Sequence, residues 1–342
     1  MITTADFPKL TDDLQSIFNE TSARKIAENV GFSIFDVSET NRKNHEHLIL
    51  HGISGIRKLT EGEDFPKATT NEGDSIIWTQ SHYGGAISIT KDMRMFDLHD
   101  QIYSVAKSRS EEAWDKIDQS LADRLLGGFS TSYTDPFGET VSTLGPDGLC
   151  LFNASHTNNV TSETFRNVCI EGATENPPLS RAAIVDTRVS ALTHKDPNNI
   201  LRPINLDTLV VGPGLEDLAM RLVSSQYLPG SGNNDINPLY NKVKVVVWPR
   251  LHVNSAGTDT SDYWFMLDST GVKESLKCLF AQRPQLDAPE EVYINKNQLS
   301  RFLQNLAKCW NIFKRFESLL WNNVKYTETI SSKDFSIGLV VS

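Results

Sequence analysis

The chain has 342 residues, 39% hydrophobic, 9% aromatic and 22% charged, an ordinary globular composition with room for one large domain or two modest ones. Its 33 Lys and Arg against 43 Asp and Glu give a formal net charge of −10, which argues against a protein whose task is to grip nucleic acid, because that affinity comes from neutralising phosphates. An acidic chain can still enclose DNA, provided it does not bind it tightly.

MITTADFPKLTDDLQ, residues 1–15, carries neither a basic leader nor an apolar core, so no secretory signal is expected. No apolar run reaches the roughly 18 residues of a membrane span. Cys150, Cys169, Cys278 and Cys309 form no CxxC pair and no zinc spacing; they read as reduced, mostly buried thiols of a cytosolic product. Without a secretory route, the sequons at Asn19, Asn153 and Asn159 are chance matches.

Residues 1–50 are polar. Leu10, Leu14, Ile17 and Phe18 give one short amphipathic helix, and the remainder, through Arg42 to His47, reads as an extended arm that needs a neighbour to become ordered. Between 51 and 92, the β-prone runs Ser75–Thr79 and Ala86–Thr90 flank His82-Tyr83-Gly84-Gly85 and predict a projecting hairpin. Residues 93–126 predict the longest helix. Thr90 is its N-cap and Asp92 lies in its first turn; Leu98, Ile102, Val105, Ala106, Ala113, Ile117, Leu121 and Leu125 form a narrow apolar stripe, and Gly127-Gly128 stops it. Such a helix would be about 50 Å long and would suit a lone spine crossing a sheet.

Residues 129–179 are loop-rich, with turns at Asp135-Pro136-Phe137-Gly138, Gly145 to Gly148 and Asn176-Pro177-Pro178. A helix over 180–194, a buried strand over Thr208–Val211, a helix over Leu215–Ser225 and strands over Val243–Trp248 and Tyr263–Leu267 follow. Strands and helices interleave, so the class is α+β. In residues 298–321, Leu299, Phe302, Leu303, Leu306, Trp310, Phe313, Phe316 and Leu320 keep a helical period among basic residues, which reads as core or interface rather than a membrane surface.

No motif carries chemistry. Gly212-Pro213-Gly214 joins a strand to a helix, but it matches neither phosphate-loop pattern and Pro213 removes a donor. His45 and His47 flank Glu46 with no third ligand nearby. Ser155, His156 and Asp147 lack the strained elbow of a nucleophile, and Asp147-Gly148 reads as a turn. No catalytic, cofactor-binding or metal-binding residue is assigned.

Pro146–His156, PDGLCLFNASH, and the stretch Asp207–Leu251, from DTLVVGPGLEDLAMRLVSS to NKVKVVVWPRL, resemble the major head proteins of tailed bacteriophages, of the Mu-like head-subunit type. Glu63-Asp64-Phe65-Pro66 resembles the start of that family's extended loop, and Ile87–Asp92 its return into the spine. Asn233, Asn234, Asn237 and Trp264–Leu267 continue the same order. The resemblance implies the Hong Kong 97 fold: an N-terminal arm (1–50), an extended β-hairpin loop (51–92), a spine helix (93–128) of the peripheral domain, more peripheral domain (129–179), an axial domain (180–290) and a C-terminal part returning to the peripheral domain (291–342). The helical period of 298–321 departs from the family, which places strands there.

The resemblance also implies a homo-oligomer of hexameric and pentameric capsomers, a separate scaffolding protein (no long scaffolding segment precedes the arm), a portal and room for a decoration protein. The shell would enclose double-stranded DNA without sequence-specific binding or any membrane, in virions assembled in the bacterial host cytoplasm. An encapsulin-type compartment shell is the alternative, marked by assembly without scaffold and by a cargo enzyme. A soluble enzyme ranks last, for want of convergent polar groups.

Overall fold

Leu14 and Phe18, one helical turn apart and both buried, begin the core on α1 (Phe7–Glu28). The computed structural model describes residues 7–50, 58–60, 64, 72–90, 96, 101–145, 147–157, 164–195, 201–227, 235–286, 289–294, 297–304, 310–311 and 339–341. Helix α1 continues well past the short helix expected, so the arm is not extended over this stretch. The reason is a partner, the long helix α3 (Gln101–Leu126). Small residues let the two approach, with Ser22 Oγ 3.0 Å from Ser110 Oγ and Ser110 Oγ donating to the Phe18 carbonyl at 3.1 Å. Arg24 meets Glu111 at 2.6 Å and Lys25 meets Asp115 at 3.0 Å. A one-turn helix, α2 (Gly31–Ile34), follows. Its first residue is a glycine, and a Cβ there would press on Leu121 Cδ1 at 2.8 Å and on the Trp248 ring at 3.0 Å, so either would have to shift.

The next strands pair far along the chain. β1 (Asp36–Glu39) lies parallel to β14 (Lys277–Phe280), which also takes β17 (Trp310–Asn311). β2 (Asn44–Leu50) and β3 (Glu72–Thr79) pair antiparallel, with a register shift between Leu48 and Leu50. β4 (Gly85–Thr90) pairs antiparallel with β16 (Asn297–Gln304), whose other neighbour is β15 (Pro289–Ile294). Both expected runs are therefore strands, but they do not form a hairpin with each other. The Gln80 N–H extends the β2 pairing by bonding the Lys43 carbonyl at 3.0 Å, and Tyr83 stacks on Phe137 at 4.1 Å, drawing the connection onto the body.

Helix α3 (Gln101–Leu126) is the expected spine, shortened. Thr90 ends β4 instead of capping the helix, and Phe96 sits in an exposed bend; Asp92 and Leu98 lie outside the described residues. Its 26 residues span about 39 Å at ~1.5 Å each. Ile102, Ala106, Ala113, Ile117, Leu121 and Leu125 are all buried, as their period requires. The helix gives way to a 3-10 turn at Gly127–Phe129, where a Cβ on Gly128 would lie 2.4 Å from the Phe152 ring.

Short pairs follow: β5 (Ser132–Thr134) with β6 (Thr140–Ser142), β7 (His156–Thr157) with β8 (Thr164–Phe165), and β9 (Ile170–Glu171) with β10 (Thr174–Glu175). Helix α4 (Arg181–Leu192) is capped by Ser180 Oγ, which accepts from the Ala183 N–H at 3.0 Å. Then come β11 (Thr208–Val211), α5 (Glu216–Val223), β12 (Lys244–Val247), β13 (Trp264–Leu267) and α6 (Val272–Ser275). With β18 (Leu339–Val341) the central sheet has the order β12-β11-β13-β18, and only the β11–β12 pair is parallel.

Alternation along these strands builds two cores. Val210, Phe265 and Leu267 face the spine side, joining Ala113, Ile117, Leu121, Leu125 and Trp248. Leu209, Val211, Trp264 and Met266 face the other way, against Ala183, Ile184, Ala219 and Val223 of α4 and α5. The spine does cross a sheet as expected, but α1 lies alongside it. Residues 298–321 do not keep their helical period where described: 297–304 and Trp310–Asn311 are strands, because backbone pairing to β4 and β14 overrides it. Residues 305–309 and 312–321 lie outside the described residues.

Leu121 is wholly buried between Gly31 and the sheet-side core. Leu121→Ala is expected to lower the unfolding free energy by about 2–5 kcal/mol, measured by urea titration, whereas Ser108→Ala on the exposed face should change it by about 0.5 kcal/mol or less.

Candidate functional site

The residues that chemistry would need do not converge. Pro213–Leu215 is a 3-10 turn, and the helix it enters opens with Glu216 and Asp217, whose charges disfavour a phosphate. His45 and His47 fall in β2, and no group of three metal-ligating side chains exists among the described residues. Cys150, Cys169 and Cys278 are free thiols, and burial pushes the Cys169 and Cys278 thiols up, making them inert; Cys309 lies outside the described residues.

His156 and Asp147 do meet. His156 Nδ1 lies 2.5 Å from Asp147 Oδ2 and its Nε2 lies 3.3 Å from the Leu151 carbonyl, with the ring fully buried and stacked on Phe165. Ser155 is exposed, and both imidazole nitrogens are engaged elsewhere, so no triad forms. The pair is a structural tie. It anchors the Asp147-Gly148 turn, where Gly148 has φ +74, to the segment that follows. Burial pushes the Asp147 carboxyl up, but the bonds from His156 and from the Leu149 N–H outweigh it and hold the group below the usual carboxylate range.

A second polar cluster, missed in the sequence, runs along α3. Asp118 Oδ1 accepts from the Gly31 N–H at 3.2 Å and from Trp248 Nε1–H at 3.1 Å, while Arg250 approaches Oδ2 at 3.5 Å. Asp115 Oδ1 is shared by Lys25 at 3.0 Å and Arg250 at 2.8 Å. One turn on, Asp123 accepts from Ser255 N–H, Ser255 Oγ–H and Gln119 Nε2, and Gln119 also donates to the Val253 carbonyl at 3.2 Å. Burial is the larger effect on both Asp118 and Asp123, and their carboxyls lie above the usual range despite these donors. The signal was available: Glu111, Asp115 and Asp118 repeat at four and three, an acidic stripe beside the apolar one.

The remaining features are surfaces. The chain from β2 to β3 runs through residues 51–71. Tyr227, Ile236 and Tyr240 are exposed around the turn after α5, as are Val189, Leu192 and Leu201 at the end of α4; Ile236 is 77% exposed. Asn237 rivets the first of these turns, donating to the Leu222 and Ser225 carbonyls at 2.8 and 3.0 Å. Among the described residues no helix is long and apolar enough to cross a membrane.

The family model for phage capsid proteins matches residues 73–301, about two thirds of the chain. No curated protein matches it. The procapsid subunit of bacteriophage JBD30 superposes with a TM-score of 0.51 at 14% identity, over 73% of this chain and 100% of that one. The capsids of Ralstonia phage GP4 (TM-score 0.47, 10% identity, 79% and 80% covered) and Myoviridae phage XM1 (0.45, 11%, 90% and 89%) are also similar.

Asp118 holds its proton more readily folded than unfolded, so its contribution to stability is fully present below its ordinary value of 3.8 and is lost as pH rises through the raised value. In urea unfolding from about pH 3 to about pH 7, the stability of the wild type minus that of Asp118→Asn should fall with rising pH and then level off. A difference that grows with pH would contradict the buried-carboxyl assignment.

Proposed function

The chain belongs to the phage capsid protein family, and on that premise we propose that it assembles into the icosahedral head shell around the double-stranded DNA of a tailed bacteriophage, as the shell's major subunit. Its role is structural, and its α+β fold is of the Hong Kong 97 type. The observation that carries the proposal is the extent of the family match, 73–301, which runs from β3 through the spine and the central sheet into β16. That match favours a phage head over a compartment shell.

In the proposed division, residues 1–50 are the arm, 51–92 the extended loop, 93–128 the spine, 129–179 peripheral, 180–290 axial, and 291–342 return to the peripheral domain. Helix α1 binds this chain's own spine, so the part of the subunit that reaches its neighbours is the loop, led by the β2–β3 connection. Hexameric and pentameric capsomers form through that loop and through the exposed apolar side chains after α4 and α5. Each such contact is modest, and closure with many copies multiplies it. A scaffolding protein and a portal guide assembly in the host cytoplasm. The net charge of −10 keeps packaged DNA from sticking to the wall.

Negative-stain microscopy of the chain co-expressed with its phage's scaffolding protein should show closed shells or capsomer rings. Uniform monomers under those conditions would go against the proposal. Because β4 is built into a sheet with β16, the sharper deletion is residues 51–71, replaced by a two-residue turn. That variant should match the wild type in stability to within about 0.5 kcal/mol and form no shells; normal shells would refute the loop's role.

A further inference from the structure

The central sheet ends in an open edge. β12 has β11 on one side and, among the described residues, no strand on the other. The Lys244 N–H bonds the Asp207 carbonyl at 2.7 Å and the Trp248 N–H bonds the Val211 carbonyl at 2.9 Å. In a parallel ladder alternate residues turn both backbone groups toward the same neighbour. The N–H and C=O of Val245 and Val247 therefore point away from β11, and they have no partner among the described residues. Such a row of unpaired groups is a template for another strand.

The edge lies in a groove of about 680 Å³, within the ~300–1,000 Å³ of typical binding sites. Ile34 of α2 and Val272 of α6 line it on the spine side, the side on which Val246 packs. Met220 of α5, 40% exposed, lines it on the far side, where Val245 packs. Alternation puts Lys244 on the same face of β12 as Val246. Lys242, in the turn before the strand, lines the same groove, and both lysines are exposed. Neither enters an ion pair among the described residues. The acid that lines the groove, Asp207, already accepts from the Ser269 N–H at 2.9 Å, Ser269 Oγ–H at 2.6 Å and Thr208 Oγ1–H at 2.9 Å. The groove thus combines unpaired backbone, two unspent cations and apolar walls on both faces of the edge.

We infer that this groove receives an extended acidic segment of a separate polypeptide, added to β12 as a further strand of the central sheet. Main-chain pairing with Val245 and Val247 supplies affinity, and the two walls read alternate side chains. An acid on the incoming strand falls beside Lys244. The apolar residue two places away falls beside Val246, against Ile34 and Val272, and the residue between them turns toward Val245 and Met220. Opposite charges and apolar neighbours are both favourable cross-strand pairs. Lysines on an open edge repel a like strand, so two β12 edges meeting each other would set basic rim against basic rim. The occupant is therefore a chain of different sequence. The formal net charge of this protein is −10, so an acidic partner is repelled by most of the surface and drawn to this rim. The inference needs only the described sheet and stands apart from the shell reading.

The probe is a fluorescein-labelled peptide, Gly-Ser-Glu-Val-Val-Val-Glu-Gly-Ser, whose charged and apolar residues read alike in either chain direction. Titrated into the purified subunit at low salt, its anisotropy should rise to saturation. The same peptide N-methylated at every valine cannot donate to the edge and should bind at least about tenfold more weakly. A peptide with lysine in place of both glutamates should be weakened as much. The double change Lys242→Glu and Lys244→Glu, at exposed positions that leave the fold intact, should cost the acidic peptide a similar factor and admit the lysine peptide instead. No saturable binding of the acidic peptide, binding that survives N-methylation, or a charge swap without rescue overturns the inference. So does a wild-type dimer, seen by sedimentation velocity, that the peptide dissociates, because the edge would then belong to a second copy. Closed shells from a subunit that binds no peptide overturn the groove assignment and leave the capsid reading standing.

Discussion

The fold hangs on one carboxylate. Asp118, on the spine helix, holds Gly31 of the N-terminal segment and Trp248 and Arg250, which follow β12, through its two oxygens. These partners lie 87 and 130 or more residues away in sequence. With the side chain only 15% exposed, each bond satisfies a polar group that would otherwise be stranded away from water. Asp115 repeats the logic one turn back, sharing a single oxygen between a cation of α1 and Arg250. The acidic stripe of α3 thus locates three segments against one rod, and the apolar stripe beside it supplies the burial that makes the location stable.

From that rod outward the structure is two cores on the two faces of one sheet. The spine-side core ties α3 to Val210, Phe265 and Trp248; the far-side core ties α4 and α5 to Leu209, Val211, Trp264 and Met266. A sheet packed on both faces transmits force without bending much, because close-packed interiors have low compressibility. The polar groups that resemble catalytic ones, His156 and Asp147, are consumed in fixing a turn.

How far the sequence spoke depended on whether the deciding interaction was local. The stripe from Ile102 to Leu125, the Gly127-Gly128 stop, the helix that begins near residue 180 and the buried run Thr208–Val211 all follow from short-range rules, and all appear where the residues place them. Strand propensity at Ser75–Thr79 and Ala86–Thr90 was legible too, but pairing is a choice of partner, and both partners lie elsewhere in the chain. The helical spacing of Leu299, Phe302 and Leu303 was a true property of the sequence, overruled by the vacant edge of β4. Helix α1 was under-read because its stabilising face is small and charged rather than greasy: Ser22, Arg24 and Lys25 matter only once α3 is beside them. The resemblance to head proteins fared better than any single element, since the order of segments survives mistakes about pairing.

The pairing of β4 with β16 has a consequence in time. Thr90 must wait for Leu299, and Asp36 for Lys277, before either strand has a neighbour. At the ~5–20 residues per second of synthesis, the gap between β4 and β16 is roughly 10–40 s of ribosome travel. During that interval the spine can coil on α1, but β1 and β4 have no strand beside them. A nascent chain therefore carries unpaired strand edges until most of its length has been made.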